Sequence, residues 1–230
     1  MTFDQVLKTL ESKTDPAAVR GMARYGITAR KVLGGWSTPA LKKFAREIGK
    51  NHGMAKKLWT TAILEARLLA GLIAEKEKLT PRQMEDWAED FDSWAVCDGT
   101  CLNLFRYTPF AYAKCVEWSK RDEEFVKRAG FALMAGLAVS DKAAPDRRFR
   151  QFLPLIKKES TDARNYVKKA VNWALRQIGK RNLSLNRAAI KAAQQIHGMD
   201  SPSARWIAAD ALRELRAPAV QRRLDSGLEG

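Results

Sequence analysis

No stretch of the chain sustains the alternation of polar and apolar positions that a half-buried strand requires, and β-branched residues are sparse. Helix starts, in contrast, are written repeatedly in one way. Asp15-Pro16, Thr38-Pro39, Thr80-Pro81, Thr108-Pro109 and Ser201-Pro202 each place a capping side chain before a proline at the first helical position. Proline fits there because its missing N–H would have had no partner. Asp122, Asp162 and Ser184 add capping candidates without proline. The pattern predicts helices over residues 3–13, 16–25, 39–51, 54–76, 81–91, 94–106, 109–119, 122–140, 146–158, 163–180, 184–196 and 202–216. Gly53, Gly179 and Gly198 fit stops or connections between them. Connections this short make successive helices antiparallel neighbours.

A weak internal echo adds to this. Lys127-Arg128-Ala129 recurs as Lys168-Lys169-Ala170, and Ala174-Leu175-Arg176 as Ala211-Leu212-Arg213, intervals near 40 residues. That period suits two-helix repeats of the HEAT kind, so the expected fold is all-α, a helical-repeat solenoid with a concave basic surface. No linker or low-complexity tract marks a second domain. One domain over residues 1–230 is expected, with a frayed tail from about 225 to 230. The second helices of successive pairs would carry Lys127, Arg128, Lys168, Lys169, Arg176, Arg205 and Arg213 along one groove. A merely solvated face is the plainer alternative for these charges.

The charge balance narrows the partner. A formal charge of +15 and a pI near 9.9 point to an acidic partner, with nucleic acid first. Residues 120–230 hold 23 Lys and Arg against 12 Asp and Glu, so most of the excess lies in that half. Three cysteines, Cys97, Cys101 and Cys115, are too few for a secreted disulfide scaffold and lack nearby histidines for a zinc site. No metal and no cofactor is expected. No apolar run approaches the ~20 residues that cross a bilayer, and the first residues lack the regions of a signal peptide. The expectation is a cytoplasmic, soluble monomer, nucleoid-associated when bound to DNA.

One acidic island interrupts this basic chain. Between Arg82 and Arg106 there is no lysine or arginine, while Glu85, Asp86, Glu89, Asp90, Asp92 and Asp98 are all acidic. If Ser93 caps a helix, Trp94 and Asp98 share one face of its first turn. An indole beside a carboxylate suits a cation. The competing reading makes Trp94 a core residue and Asp98 a solvated helix acid.

Four segments in order resemble the AlkD-type DNA alkylation-repair glycosylases, a HEAT-like repeat family. They are Met22-Ala23-Arg24-Tyr25 with Gly35-Trp36-Ser37-Thr38-Pro39; Ser93-Trp94-Ala95-Val96-Cys97-Asp98; Phe125-Val126-Lys127-Arg128-Ala129; and Lys168-Lys169-Ala170-Val171-Asn172-Trp173-Ala174-Leu175-Arg176. The resemblance implies that Asp98 is the catalytic aspartate, Trp94 and Trp173 the aromatic walls, and Arg128 a phosphate-binding arginine. Tyr25 would complete the aromatic wall, and Tyr25, Lys127, Lys169 and Arg176 are expected as further DNA contacts. Members often carry a second acidic residue after the tryptophan, where this chain has Ala95.

The chemistry follows from residue types. A purine alkylated at N3 or N7 is cationic, so its glycosidic bond is already weakened. A carboxylate near the sugar stabilises the oxocarbenium character of the transition state and orients or deprotonates the attacking water. Indole faces attract cations by roughly 0.5–2 kcal/mol. No lysine is implied as a Schiff-base nucleophile, so the expected enzyme is a monofunctional glycosylase of base excision repair acting on double-stranded DNA containing alkylated bases. Two other readings stay open: a catalytically silent helical-repeat protein that binds distorted or branched DNA, and a protein-interaction scaffold.

Overall fold

The computed structural model describes residues 1–226, and among them the fold is all-α. Two isolated β-bridges, Thr14 with Gly34 and Lys31 with Ile63, are the extended pairings in the described chain. By internal packing the chain divides into two compact units, 1–110 and 111–230, a finer division than the one domain expected from the sequence.

The first unit contains α1 (Phe3–Glu11), α2 (Pro16–Arg24), α3 (Thr38–Ile48), α4 (His52–Thr60), α5 (Leu64–Ile73), α6 (Pro81–Glu89) and α7 (Trp94–Asn103). Its centre is α5, which packs on α1, α3, α4 and α7. Leu64, Ala66, Leu69, Ala70 and Ile73 are buried along it, as a helix that is apolar on every side must be. The predicted helix over 54–76 is in fact two, α4 and α5. Ala62, with φ of 56°, turns the chain into the left-handed region that ends a helix. The Leu64 amide then donates to Lys31 O at 2.9 Å, which fixes the new direction. The predicted 94–106 helix stops at Asn103 and continues as a 3-10 turn, Phe105–Tyr107.

The second unit contains α8 (Ala111–Trp118), α9 (Glu124–Ser140), α10 (Asp146–Arg150), α11 (Leu153–Glu159), α12 (Asn165–Gly179), α13 (Leu183–His197), α14 (Pro202–Leu215) and α15 (Pro218–Ser226). Here α12 packs between α9 and α14, while α13 lies against α11, α12 and α14, so helices of successive pairs stack on their counterparts. The predicted 146–158 helix is broken into α10 and α11. Pro154, which has no N–H and crowds the preceding turn, belongs at the start of a helix and not in its interior. Helix α15 was not predicted, because Pro218 follows Ala217 rather than a capping side chain. The frayed tail is corrected for Asp225 and Ser226, which are helical; its remaining residues, 227–230, lie outside the described chain.

The capping chemistry that wrote these helices is present where it matters. Asp15 accepts from the amides of Ala17 and Ala18, Thr80 from Gln83, Ser201 from Ala204 and Ser93 from Ala95. Before α3 the cap is Ser37, not Thr38, and before α13 it is Asn182, not Ser184. Asp122 caps nothing by side chain at α9, whose N-cap is Glu123.

Close packing of α8 on α9 depends on Gly130. A methyl group there would sit 2.6 Å from Ser119 N and 3.0 Å from the Trp118 carbonyl carbon, both main chain and unable to yield. Gly130→Ala is expected to destabilise the protein by about 1–3 kcal/mol, as overpacking does, read as a lowered urea midpoint. An unchanged midpoint would show that α8 and α9 separate freely.

Candidate functional site

The first unit builds a site from the start of α7. Ser93 is buried and its hydroxyl accepts from Ala95 N at 3.3 Å, so Trp94 is the first helical residue and Asp98 follows one turn later on the same side. Both side chains are half-buried, so Trp94 is not a core tryptophan of the kind Trp59 and Trp118 are. The Trp94 Nε1–H donates to Tyr25 O at 3.1 Å, pinning the indole to the C-terminal end of α2. Tyr25 itself is 79% exposed, a large ring left in solvent. The structure therefore brings Tyr25 and Trp94 together, with Asp98 one turn along.

Two acids of the island do other work. Asp90 and Asp92 face Arg67 of α5, which is buried. Arg67 donates through Nη1 to Asp90 O at 2.8 Å and through Nε to Trp59 O at 3.3 Å, and approaches the Asp92 carboxylate at 3.5 Å. Trp59 donates Nε1–H to Asp90 Oδ2 at 2.9 Å and stacks on Trp87 with centroids 4.0 Å apart. The other Asp92 oxygen accepts from Arg30 N at 3.0 Å. The connection from α6 to α7 is thus fastened to α5 immediately before Trp94, while Asp98 lies beyond it.

A second buried acid holds the loop that follows Tyr25. Glu65 of α5 is 1% exposed and accepts from Leu33 N at 3.0 Å and Gly34 N at 2.7 Å. Gly34 adopts φ of 87°, and a Cβ there would meet Asp15 O at 2.6 Å, so only glycine passes. Further on, Trp36 donates to Leu10 O at 2.9 Å and stacks on Phe44 at 5.3 Å. The motif segment 35–39 is structural here, anchoring the loop between α2 and α3.

In the second unit the predicted cations fall into two groups. Lys127 is 7% exposed and sits 2.7 Å from Glu159 and 3.6 Å from Asp162. Arg176 is paired with Glu214 and lies 3.6 Å from Asp210, and Lys180 also pairs with Glu214. Lys127 and Arg176, both expected as DNA contacts, are ion-paired with carboxylates of the following helix pair. Arg128 is also buried, donating Nη1–H to Tyr166 O at 2.7 Å. Burial alone would raise the Asp162 carboxyl, but hydrogen bonds from the Arg164 side chain and amide outweigh it and hold the group below its usual range. Glu214 is held low in the same way by Lys180 and Arg176. Lys169 remains exposed on α12, and Trp173 is half-buried one turn along from it.

Three residues escaped sequence reasoning. Arg67 and Glu65 sit inside an apolar helix, where their burial was the available signal. Trp206 of α14 is 42% exposed with Lys168 Nζ 5.0 Å above its ring, an indole and ammonium side by side on the row that α12 belongs to. Among the described residues no group of histidine, cysteine and acid side chains is arranged to hold a metal, and no helix is long and apolar enough to cross a membrane.

Comparison with known proteins bears on this arrangement. A family model described as DNA alkylation repair enzyme matches residues 6–221. A solved structure described as "a new family of proteins related to the HEAT-like repeat DNA glycosylases with affinity for branched DNA structures" is similar over 99% of this chain and 95% of that one, with TM-score 0.76 and 19% identity. That likeness shows a HEAT-like repeat fold. A designed armadillo repeat protein, at 17% identity over 77% of this chain and 92% of that one, reaches TM-score 0.36. Curated proteins give no match.

Removing Arg67 tests the frame of the site. Arg67→Ala leaves Asp90 and Asp92 without their buried cation, and unpairing a buried ion pair costs about 3–5 kcal/mol. Because Asp90 is half exposed, a loss near the lower end, about 3 kcal/mol, is expected in chemical denaturation. Native stability in that variant would remove Arg67 as the anchor of the α6–α7 connection.

Proposed function

The chain belongs to the DNA alkylation repair enzyme family, and on that premise we propose that it is a monofunctional DNA glycosylase that hydrolyses the N-glycosidic bond of cationic N3- and N7-alkylated purines in duplex DNA. The observation that carries the reading is the start of α7, where Trp94 is pinned by its N–H to the Tyr25 carbonyl and Asp98 follows one turn later. The pinning fixes which way the indole faces, and it is made to the backbone carbonyl of Tyr25, whose ring is exposed.

In the proposed reaction the bond from the sugar C1′ to the base nitrogen breaks, and its electron pair leaves with the base. The alkylpurine, cationic while attached, departs neutral, and the positive charge passes to the sugar. The Asp98 carboxylate stabilises that charge and takes the proton of the water that attacks C1′. Trp94 and Tyr25 offer π-faces to the cationic nucleotide. No strand cleavage follows, because no amine forms a covalent adduct with the sugar.

For the second unit we assign a phosphate contact to exposed Lys169, with Trp173 offering an aromatic face to the nucleic acid, while Arg128, buried and bonded to Tyr166 O, supports that surface from beneath. Lys127 and Arg176 support that surface through their ion pairs, holding α9 and α12 against the next helices. A second reading, DNA binding without base release, has support in the branched-DNA affinity described for the similar protein and in Ala95, which stands where the family often has an acid.

One experiment separates them. Native protein should release N7-methylguanine from a methylated duplex, and Asp98→Asn should lose at least a hundredfold in rate, a typical share for general-base and electrostatic catalysis, while binding the duplex undiminished. Equal rates in the two proteins would take Asp98 out of the reaction. Binding without release by either would establish the second reading.

A further inference from the structure

The cations of the second unit differ in what they face. Those on α9 and α12 at Lys127 and Arg176 meet carboxylates. On the other row of helices, α10, α11 and α13 line two adjoining open recesses of about 650 and 460 Å³, and none of the four cations lining them meets a carboxylate among the described residues. Arg150 donates to the Ser184 hydroxyl at 2.7 Å and to Ser184 O at 3.4 Å. Lys157 donates to Gln195 Oε1 at 3.1 Å. Arg187 and Lys191, one turn apart on α13, are exposed and carry no ion pair among the described residues. No aspartate or glutamate lines either recess.

We propose that this cleft is a second DNA site, one that grips the phosphate backbone of a duplex independently of the surface that bears Lys169. Four positive charges with no carboxylate among the lining residues leave a local field that an anion relieves. Arginine forks at Arg150 and Arg187 match phosphate oxygens, and the serine hydroxyl and glutamine amide beside them are the neutral donors that commonly complete backbone contacts. The lining is unsuited to an acidic peptide. In the smaller recess its apolar members are Leu153, Pro154, Ala188 and Ala192, with no aromatic side chain to anchor a peptide. Backbone contacts need only charge on the rims, so the site selects no sequence. The inference goes beyond base release: it gives the second unit a hold on the DNA backbone of its own.

The test uses the full chain and a short unmodified duplex, with binding followed by anisotropy over a range of salt. Arg187→Glu/Lys191→Glu reverses two rim charges that have no structural partner; Lys56→Glu/Lys57→Glu, exposed on α4, makes the same change in net charge elsewhere. The cleft variant should bind at least tenfold more weakly, with the salt slope reduced by about two for two lost phosphate contacts, and the α4 variant should change less than twofold. Release of N7-methylguanine under saturating protein should persist in the cleft variant, so failure of the glycosylase reading and failure of this one are told apart. Equal weakening in the two variants would overturn the proposal. Tighter binding of polyglutamate than of a duplex of equal charge would overturn the DNA assignment.

Discussion

A single buried guanidinium organises the first unit. Arg67 lies in the most apolar helix of that unit, and a charge there survives only with partners on every side. It finds them at the Trp59 carbonyl, the Asp90 carbonyl and carboxylate, and Asp92. The consequence is geometric. Satisfying one cation draws the end of α4 and the connection into α7 onto α5, so Trp94 begins its helix at a fixed place. Glu65, two residues before Arg67, does the matching work with opposite charge, taking two amides of the loop after Tyr25. One helix thus holds both strands of chain whose meeting is recorded in the Trp94 to Tyr25 hydrogen bond.

The second unit uses charge differently. Its ion pairs run between successive helix pairs, from Lys127 to Glu159 and Asp162, and from Arg176 and Lys180 to Glu214. Each joins residues more than thirty positions apart in sequence, and Asn172 adds a hydrogen bond to Asp210 at 2.7 Å between α12 and α14. Such pairs favour one register of stacking over its neighbours, because a slipped helix would bury an unmatched charge. They also cancel charge that the composition alone would assign to DNA. Part of the excess positive charge of this half is carried instead by residues whose partners are neutral or solvent, among them Lys169 on one row and Arg150, Lys157, Arg187 and Lys191 on the other.

Much of the fold was legible because helix starts are local chemistry. Asp15, Ser93, Thr80 and Ser201 cap the helices their neighbours announce, and the segment around Trp94 and Asp98 reads correctly as one helical turn. Legibility ended where a distant contact decided the outcome. The break at Ala62 is set by Lys31, thirty-odd residues away in sequence, and nothing near Thr61 writes a stop. Pro154 was a visible signal that the apolar pattern overrode. Lys127 and Arg176 resembled DNA-facing cations because their carboxylate partners lie about 35 residues further on, a separation that only the stacked repeat closes. The work of Asp90 and Asp92 was illegible for the same reason: they answer Arg67, hidden in an apolar run.

The account turns on Asp98 meeting positive charge at the sugar, and a duplex carrying a cationic azasugar in place of one nucleotide measures that directly. Its ring nitrogen places charge where the transition state has it, and a neutral tetrahydrofuran at the same position is the matched control. The account predicts that native protein prefers the cationic analogue by a hundredfold or more, as transition-state mimics are preferred, and that Asp98→Asn abolishes the preference. Equal affinity of the native protein for the two duplexes would contradict it.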